Sequence, residues 1–367
     1  MLKQLSLMLA LLSIPISACC ANESPKQITN DLVKAETAAK PAIKLGTKRY
    51  PDDKSITMDT GNTTGVYYTS GDAICRIINQ HKRKLGLRCN NKATLGSIPN
   101  IEALRNGEAQ LAIVQSDIQE NALRGGDIYA TSGAFEPLRF LFSLHDESFT
   151  VIVRRDSDIK RLDDLSNKIF NIGPIGSGIR AAAATLMQIK GWTLRYFQSV
   201  TELKVEEQAD ALCQNKIDAM VLVTGHPSKL VENISKMCEI RLLPLDDEQI
   251  KQFVNNNKGY ELTTIPGDLY HGLPFEINTI GVKATMLTTT DLSDDIAYKV
   301  TKTTFENLVK LRKVSPVLAK LDKEIMVTKG QIATIHPGAE RYFKEIGLLK
   351  EPQQQPHTIS EPIKNNS

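Results

Sequence analysis

The feature that most constrains this chain is a recurring unit of short apolar strand, glycine-rich or polar loop, and helix with apolar residues at three- and four-residue spacing. Ser55-Ile56-Thr57-Met58-Asp59-Thr60 alternates as a strand, the loop Gly61 to Gly65 follows, and a helix beginning at Val66 carries Ala73, Ile74, Ile77 and Ile78 on one face. A strand near Leu87 to Asn91 comes next. Ser97 reads as the cap of a short helix with Pro99 in its first turn and Asn106-Gly107 at its end. The strand Leu111 to Val114 then terminates in Gln115-Ser116-Asp117. A second series starts at the strand Phe149 to Val153. It runs through Ile169 to Ile172, the loop Gly173-Pro174-Ile175-Gly176-Ser177-Gly178 and an alanine-rich helix Ile179 to Lys190, and reaches the strand Met220 to Val223, which ends in Thr224-Gly225-His226. This is an α/β signature. In open parallel sheets, ligands sit beyond the carboxyl ends of strands, where loops feed helix amino termini, so these four loops are the candidate site.

A chain of 367 residues exceeds what one compact core holds, and two domains are expected. The expected division is a signal peptide over 1–19, a disordered tether over 20–54, a first lobe over 55–145 plus 276–347, a second lobe over 146–275, and a disordered tail over 348–367. The chain would cross between lobes near 142–149 and return near 275–282, and 292–311 and 339–345 would pack on the first lobe. With 45 basic and 42 acidic residues there is no electrostatic footprint for nucleic acid.

At the amino terminus Lys3 precedes an apolar run from Leu5 to Ile16, too short to span a bilayer, as in a secretory signal. Ile16-Ser17-Ala18-Cys19 resembles a bacterial lipobox, with Cys19 the residue that would be lipidated; ordinary cleavage near Ala18 or Ala21 is the other reading. Setting aside Cys19 and Cys20, the remaining cysteines form two sequence-local pairs. In an oxidising compartment Cys75 with Cys89 and Cys213 with Cys238 are expected as disulfides, each contributing about 3 kcal/mol through loop closure. There is no CxxC and no nearby histidine pair, so no metal is expected.

The loop Thr60 to Gly65 directs backbone N–H groups toward whatever sits at the start of the next helix, where the helix dipole favours an anion, and a carboxylate is the natural guest. Tyr67 or Tyr68 could wall the pocket or hydrogen-bond through a phenol. Gln115 and Ser116 can donate to or accept from a ligand without carrying charge. Asp117 reads either as a ligand group or as a helix cap. Gly176-Ser177-Gly178 lacks the spacing of a dinucleotide fingerprint, a P-loop or a nucleophile elbow, and fits a second amide nest. Arg180 could grip a carboxylate bidentately or lie exposed on the helix face. His226 reads as a ligand group or as a turn residue before Pro227. The pair Asp163-Asp164 and the run Asp246-Asp247-Glu248 read as helix starts. With no nucleophile–base pair and no cofactor motif, neither catalysis nor a cofactor is expected.

Asp59-Thr60-Gly61-Asn62-Thr63-Thr64-Gly65-Val66-Tyr67-Tyr68 resembles the signature of the TAXI family of TRAP-transporter solute receptors. Further blocks follow in order: Thr94-Leu95-Gly96-Ser97 with Asn100 and Leu104, Ala112 to Asp117, Gly173 to Gly178, Gly225-His226-Pro227, and His336-Pro337-Gly338-Ala339. The resemblance spans roughly 55–347 and implies a type II periplasmic-binding-protein fold with a ligand cleft and hinge crossings. It also implies handover of a small carboxylate, such as glutamate, glutamine or a dicarboxylate, to TRAP permease membrane subunits. It brings Thr94, Ser97, Gly225 and His226 into the ligand set. The loop Gly61 to Gly65 carries Asn62-Thr63-Thr64 where many relatives have more glycine. A monomer in the periplasm or cell envelope is expected, touching the membrane only through a lipid anchor. The other reading is a surface lipoprotein, sensor subunit or adhesin that keeps the fold without feeding a transporter.

Overall fold

The computed structural model describes residues 55–350; the expected signal and tether, with Cys19 and Cys20, and the expected tail beyond residue 350 lie outside them. A mixed sheet has the strand order β2-β1-β3-β10-β4-β7-β5-β6, with β8 also on β4 and β9 on β10. The first three strands, β1 (Ser55–Asp59), β2 (Arg88–Lys92) and β3 (Leu111–Gln115), run parallel. So do β5 (Ile169–Asn171), β6 (Ser199–Thr201) and β7 (Ala219–Thr224) at the other end. Two long antiparallel strands join these sets: β4 (Leu138–Arg154) and β10 (Ile277–Thr289). The segments read from the sequence as crossings fall within or beside them. Their ladder shifts register between Lys283 and Thr285 and again between Met286 and Leu287. The strands β8 (Ile240–Leu243) and β9 (Glu261–Ile265) edge the second half.

Period-two alternation builds a core on each face of each half. Along β3, Leu111 and Ile113 enter one cluster and Ala112 and Val114 the opposite one. Along β4 and β7, Val151, Val153 and Val221 enter one face of the second half, and Ile152, Met220 and Leu222 the other. The first half is covered by helices α1 (Val66–Gln80), α2 (Ser97–Arg105) and α3 (Ser116–Arg124). The second is covered by α4 (Gly178–Lys190), α5 (Val205–Cys213), α6 (Lys229–Met237) and α7 (Glu248–Asn256). Helices α8 (Asp294–Glu306) and α9 (Pro337–Glu345) return to the first half, where Val300, Phe305 and Phe343 share a cluster with Ile56, Met58, Ile74 and Ile78.

Both expected disulfides are formed: Cys75–Cys89 ties α1 to β2, and Cys213–Cys238 ties the end of α5 to the end of α6. The acidic runs do start helices, since Asp247 caps α7 and Asp163-Asp164 lie in the 3-10 turn Leu162–Leu165. Two expectations are corrected. Ser97 is not the cap of α2, because its hydroxyl accepts from the backbone N–H of Gln115 and Gly96 occupies the cap position. Leu348 and Leu349, read as the start of an unstructured tail, pack on the first apolar cluster, and their N–H groups reach the carbonyl of Phe343.

Candidate ligand-binding cleft

Two contacts show that the strand-end loops of the two halves meet. Asn62, in the loop after β1, donates to Glu206 in the first turn of α5 (2.9 Å). Gln115, at the tip of β3, lies against Gly178 at the start of α4: a Cβ built on that glycine would sit 2.5 Å from Gln115 Oε1. The space between these loops is the candidate cleft.

On the first-half side, several predicted site residues turn out to be the frame of the loop. Thr60 is buried; its N–H and hydroxyl both donate to the carbonyl of Lys92, and its own carbonyl receives Thr94 Oγ1 and Asn100 Nδ2. Thr94 also donates to Asn100 Oδ1. Within 61–65, Asn62 Oδ1 accepts from both the N–H and the hydroxyl of Thr64, and the Gly65 N–H donates to the carbonyl of Asn62. The N–H groups of Thr60, Thr64 and Gly65 are therefore engaged inside the protein, which narrows the amide nest read from the sequence. Gly61 sits close to Tyr67, with 3.1 Å between a built Cβ and the tyrosine's own. Thr63 is exposed at the loop tip, and Tyr68 is half-buried with its carbonyl bonded to Asn91.

Deeper in the cleft stands a group of buried polar side chains. Tyr67 donates its hydroxyl to Glu147 Oε2 (2.6 Å), and burial, reinforced by the charge of Glu147, pushes its phenol well above the ordinary tyrosine range. His145 Nε2 lies 3.7 Å from the other oxygen of Glu147, with the His145 ring edge-on to Tyr67. Asp117 is 2% exposed; its Oδ2 accepts from Tyr260 Oη (3.1 Å), while Oδ1 has no hydrogen-bond partner. Burial pushes its carboxyl up to about 7, against the pull of the Ile118 N–H and the Tyr260 hydroxyl, and the nearby charge of Glu147 adds to the rise. Gln115 Oε1 and both ring nitrogens of His145 are also buried without partners.

Ser116 serves a different purpose. Its hydroxyl donates to the carbonyl of Gly259 (2.6 Å) and accepts from the Lys283 N–H (2.9 Å), while the Gly259 N–H donates to Glu120 (2.8 Å). Helix α3 is thus strapped to the segment before β9. The approach requires glycine: a Cβ at residue 259 would come within 2.7 Å of the Asp117 Cα.

Much of the second-half side is bonded internally, although Asn171 Nδ2, at the end of β5, and Gln208 Oε1, on α5, are buried without a hydrogen-bond partner. The backbone at Gly173 has φ +79°, with Ile179 closing over it, and Gly176 has φ +75°. Ser177 caps α4, accepting from the Arg180 N–H and donating to the Pro174 carbonyl. Arg180 is buried and donates to Glu202 (2.6 Å), which corrects the exposed-helix-face reading. His226 bonds Thr150 through Nε2 (2.9 Å) and Tyr270 through Nδ1 (2.6 Å), and burial pulls its pKa down to about 4, so it is neutral. It anchors the turn. Gly225 packs under His145 and Val317.

Glu147, His145, Tyr260 and Gly259 were missed from the sequence. A signal existed for two of them, since His145-Asp146-Glu147 interrupt an otherwise apolar long strand. None existed for Gly259 and Tyr260, which reach α3 from more than 130 residues away.

A model of the NMT1-like family matches residues 58–347. A Bordetella bronchiseptica RB50 protein of known structure is 11% identical with a TM-score of 0.50, over 80% of this chain and 98% of that one. The periplasmic aliphatic sulphonate binding protein SsuA from Escherichia coli is 12% identical (TM-score 0.44, 86% and 98% covered). A binding protein component of an ABC phosphonate transporter from Pseudomonas aeruginosa is also 12% identical (TM-score 0.45, 70% and 75%). The likeness is one of fold, a large mixed sheet covered by helices.

Proposed function

Because the chain belongs to the NMT1-like family, we propose that it is an extracytoplasmic, non-enzymatic solute receptor that closes around a small carboxylate-bearing metabolite and hands it to a membrane transporter. The observation that carries this reading is the meeting of strand-end loops from two separately cored halves, joined by the long strands β4 and β10. Such a design holds a guest between rigid bodies and reports its presence by closure. In this reading the first lobe is 55–145 plus 276–347 and the second is 146–275. The amino termini of α1 and α4 favour the carboxylate, through Gly61 to Gly65 on one side and Gly176 to Gly178 on the other. The resemblance to TAXI receptors makes a TRAP permease the membrane partner, with glutamate, glutamine or a dicarboxylate as the class of guest. The two disulfides suit an oxidising compartment, and lipidation at Cys19 would place the protein on the cell envelope.

A thermal-shift screen of amino acids and dicarboxylates tests the reading: a narrow set should raise the Tm as mass action requires. In Gly178→Val the added side chain would meet Gln115 and hold the lobes apart, so the ligand-induced shift should vanish while the free protein still unfolds cooperatively. A screen in which no small carboxylate shifts the Tm, or a variant that responds like the native chain, would sink it.

A further inference from the structure

In a cleft closed to water, an acceptor without a donor must receive one from the guest. Two of the buried carboxylates around this cleft differ in that respect; Asp59 and Glu120 are also buried with one oxygen lacking a hydrogen bond, but each has a cation beside it, Lys92 and Arg124. Glu147 is served by the Tyr67 hydroxyl and has His145 beside it. Asp117 has one oxygen occupied by Tyr260 and the other, Oδ1, without a partner. A second buried group points the same way from the residue two before it: Gln115 Oε1 is also without a partner and lies over the start of α4, across the cleft.

A guest that was only an anion would place its charge beside Glu147, would hold Asp117 in its protonated form, and would supply neither with an N–H donor. A hydroxyl would bring one donor and no charge. A protonated amine brings three donors and the opposite charge.

We infer that the ligand carries a protonated amine as well as its carboxylate, and that Asp117 Oδ1 receives the ammonium group in the first lobe, with Gln115 Oε1, two residues earlier in the chain, as a further acceptor. This rests on the reading of the cleft as a receptor site and selects amino-acid-like zwitterions over dicarboxylates and 2-oxo acids. The carboxyl of Asp117 is costly to ionise without a guest, and an ammonium group alongside it favours the ionised form.

Tyr260 is the positioning residue of this subsite. Its hydroxyl occupies Oδ2 and leaves Oδ1 as the oxygen without a partner, and its ring is held against Phe149 and Phe253, with centroids 6.1 and 4.9 Å away. It arrives on the Gly259 strap from the second half of the sheet. The ammonium site is therefore complete only while that strap sits on α3.

The test is titration calorimetry on the full chain with three probe classes: the amino acids, their deamino and 2-oxo counterparts, and alkylamines without a carboxylate. At least one amino acid should bind, and its amine-free counterpart should bind about 100-fold more weakly or not at all. Asp117→Asn should cut affinity for the amino acid at least about tenfold and shrink its advantage over the amine-free counterpart. Tyr260→Phe should do the same to a smaller extent without abolishing binding, which keeps the test open if the first variant folds poorly. An amine-free acid bound as tightly as its amino counterpart overturns the inference and leaves the carboxylate receptor standing, as does an unchanged preference in both variants. An alkylamine bound as tightly as the amino acid sinks the carboxylate reading and upholds the ammonium site. A panel without any response overturns both.

Discussion

The two sides of the cleft start from the same pattern, a strand running into a polar loop and a helix, and spend their polar groups differently. On the second side Ser177 caps its helix, Arg180 pairs with Glu202, and His226 is held at both ring nitrogens. On the first side the threonine frame is equally closed, yet Gln115, Asp117 and His145 retain buried atoms without partners. Asn171 Nδ2 and Gln208 Oε1 on the second side are also unpaired, so the difference is one of kind: at the strand tips the first side offers a carboxylate oxygen of Asp117 and the second an amide donor of Asn171. Since a buried unpaired polar group costs roughly 1–3 kcal/mol, a ligand that pairs with these groups stabilises both sides, an ammonium group on the first and an acceptor on the second.

The largest disturbance of that contrast comes from the strap. Gly259→Val would drive a side chain into the backbone of Asp117 and the carboxylate of Glu120, so it should detach residues 259–260 from α3 and free both oxygens of Asp117. Ligand affinity should fall by two orders of magnitude or more, on the order of 3 kcal/mol, with a larger radius of gyration by small-angle scattering even at high ligand. Native-like affinity in this variant would mean that the second half does not organise the first.

Two opposing effects, smaller in their net, separate the sides by pH. Asp117 is held above its ordinary 3.8, at about 7, so its contribution to stability is complete below pH 3.8 and is lost as the pH rises through 7. His226 is held below its ordinary 6.5, at about 4, so its contribution is complete above pH 6.5 and is lost as the pH falls toward 4. They amount to about 4 kcal/mol for Asp117 and about 3 kcal/mol for His226. Between pH 4 and 6.5 the two oppose each other, and the ligand-free chain should show a shallow Tm profile. Asp117→Asn should leave a slope rising with pH over that range, and His226→Gln a slope falling with it, both read from thermal unfolding. Slopes of the same sign in both variants would contradict the contrast.

Much of the fold was legible because its signals are local. The alternation Val151-Ile152-Val153 announces a strand buried on both faces, and Gly173 to Gly178 announces a turn that needs positive φ at Gly173 and Gly176. The site was legible only in part, because a sequence shows which groups can bond and not which neighbour takes them. Thr60, Thr94, Ser97 and Ser116 look like ligand groups and are committed to Lys92, Asn100, Gln115 and Gly259. Asp117 looks like a helix cap, and its distinguishing feature, an oxygen left unpaired by a tyrosine more than 140 residues away, exists only after folding.

The account is tested most directly by a crystal structure of the native protein purified with whatever ligand it carries from the cell. The account predicts a small zwitterion between the lobes, its amine within about 3.2 Å of Asp117 Oδ1 and its carboxylate toward the amino terminus of α1 or α4. A guest seated on His226 or the second wall alone, with Asp117 Oδ1 still unpaired, would contradict it.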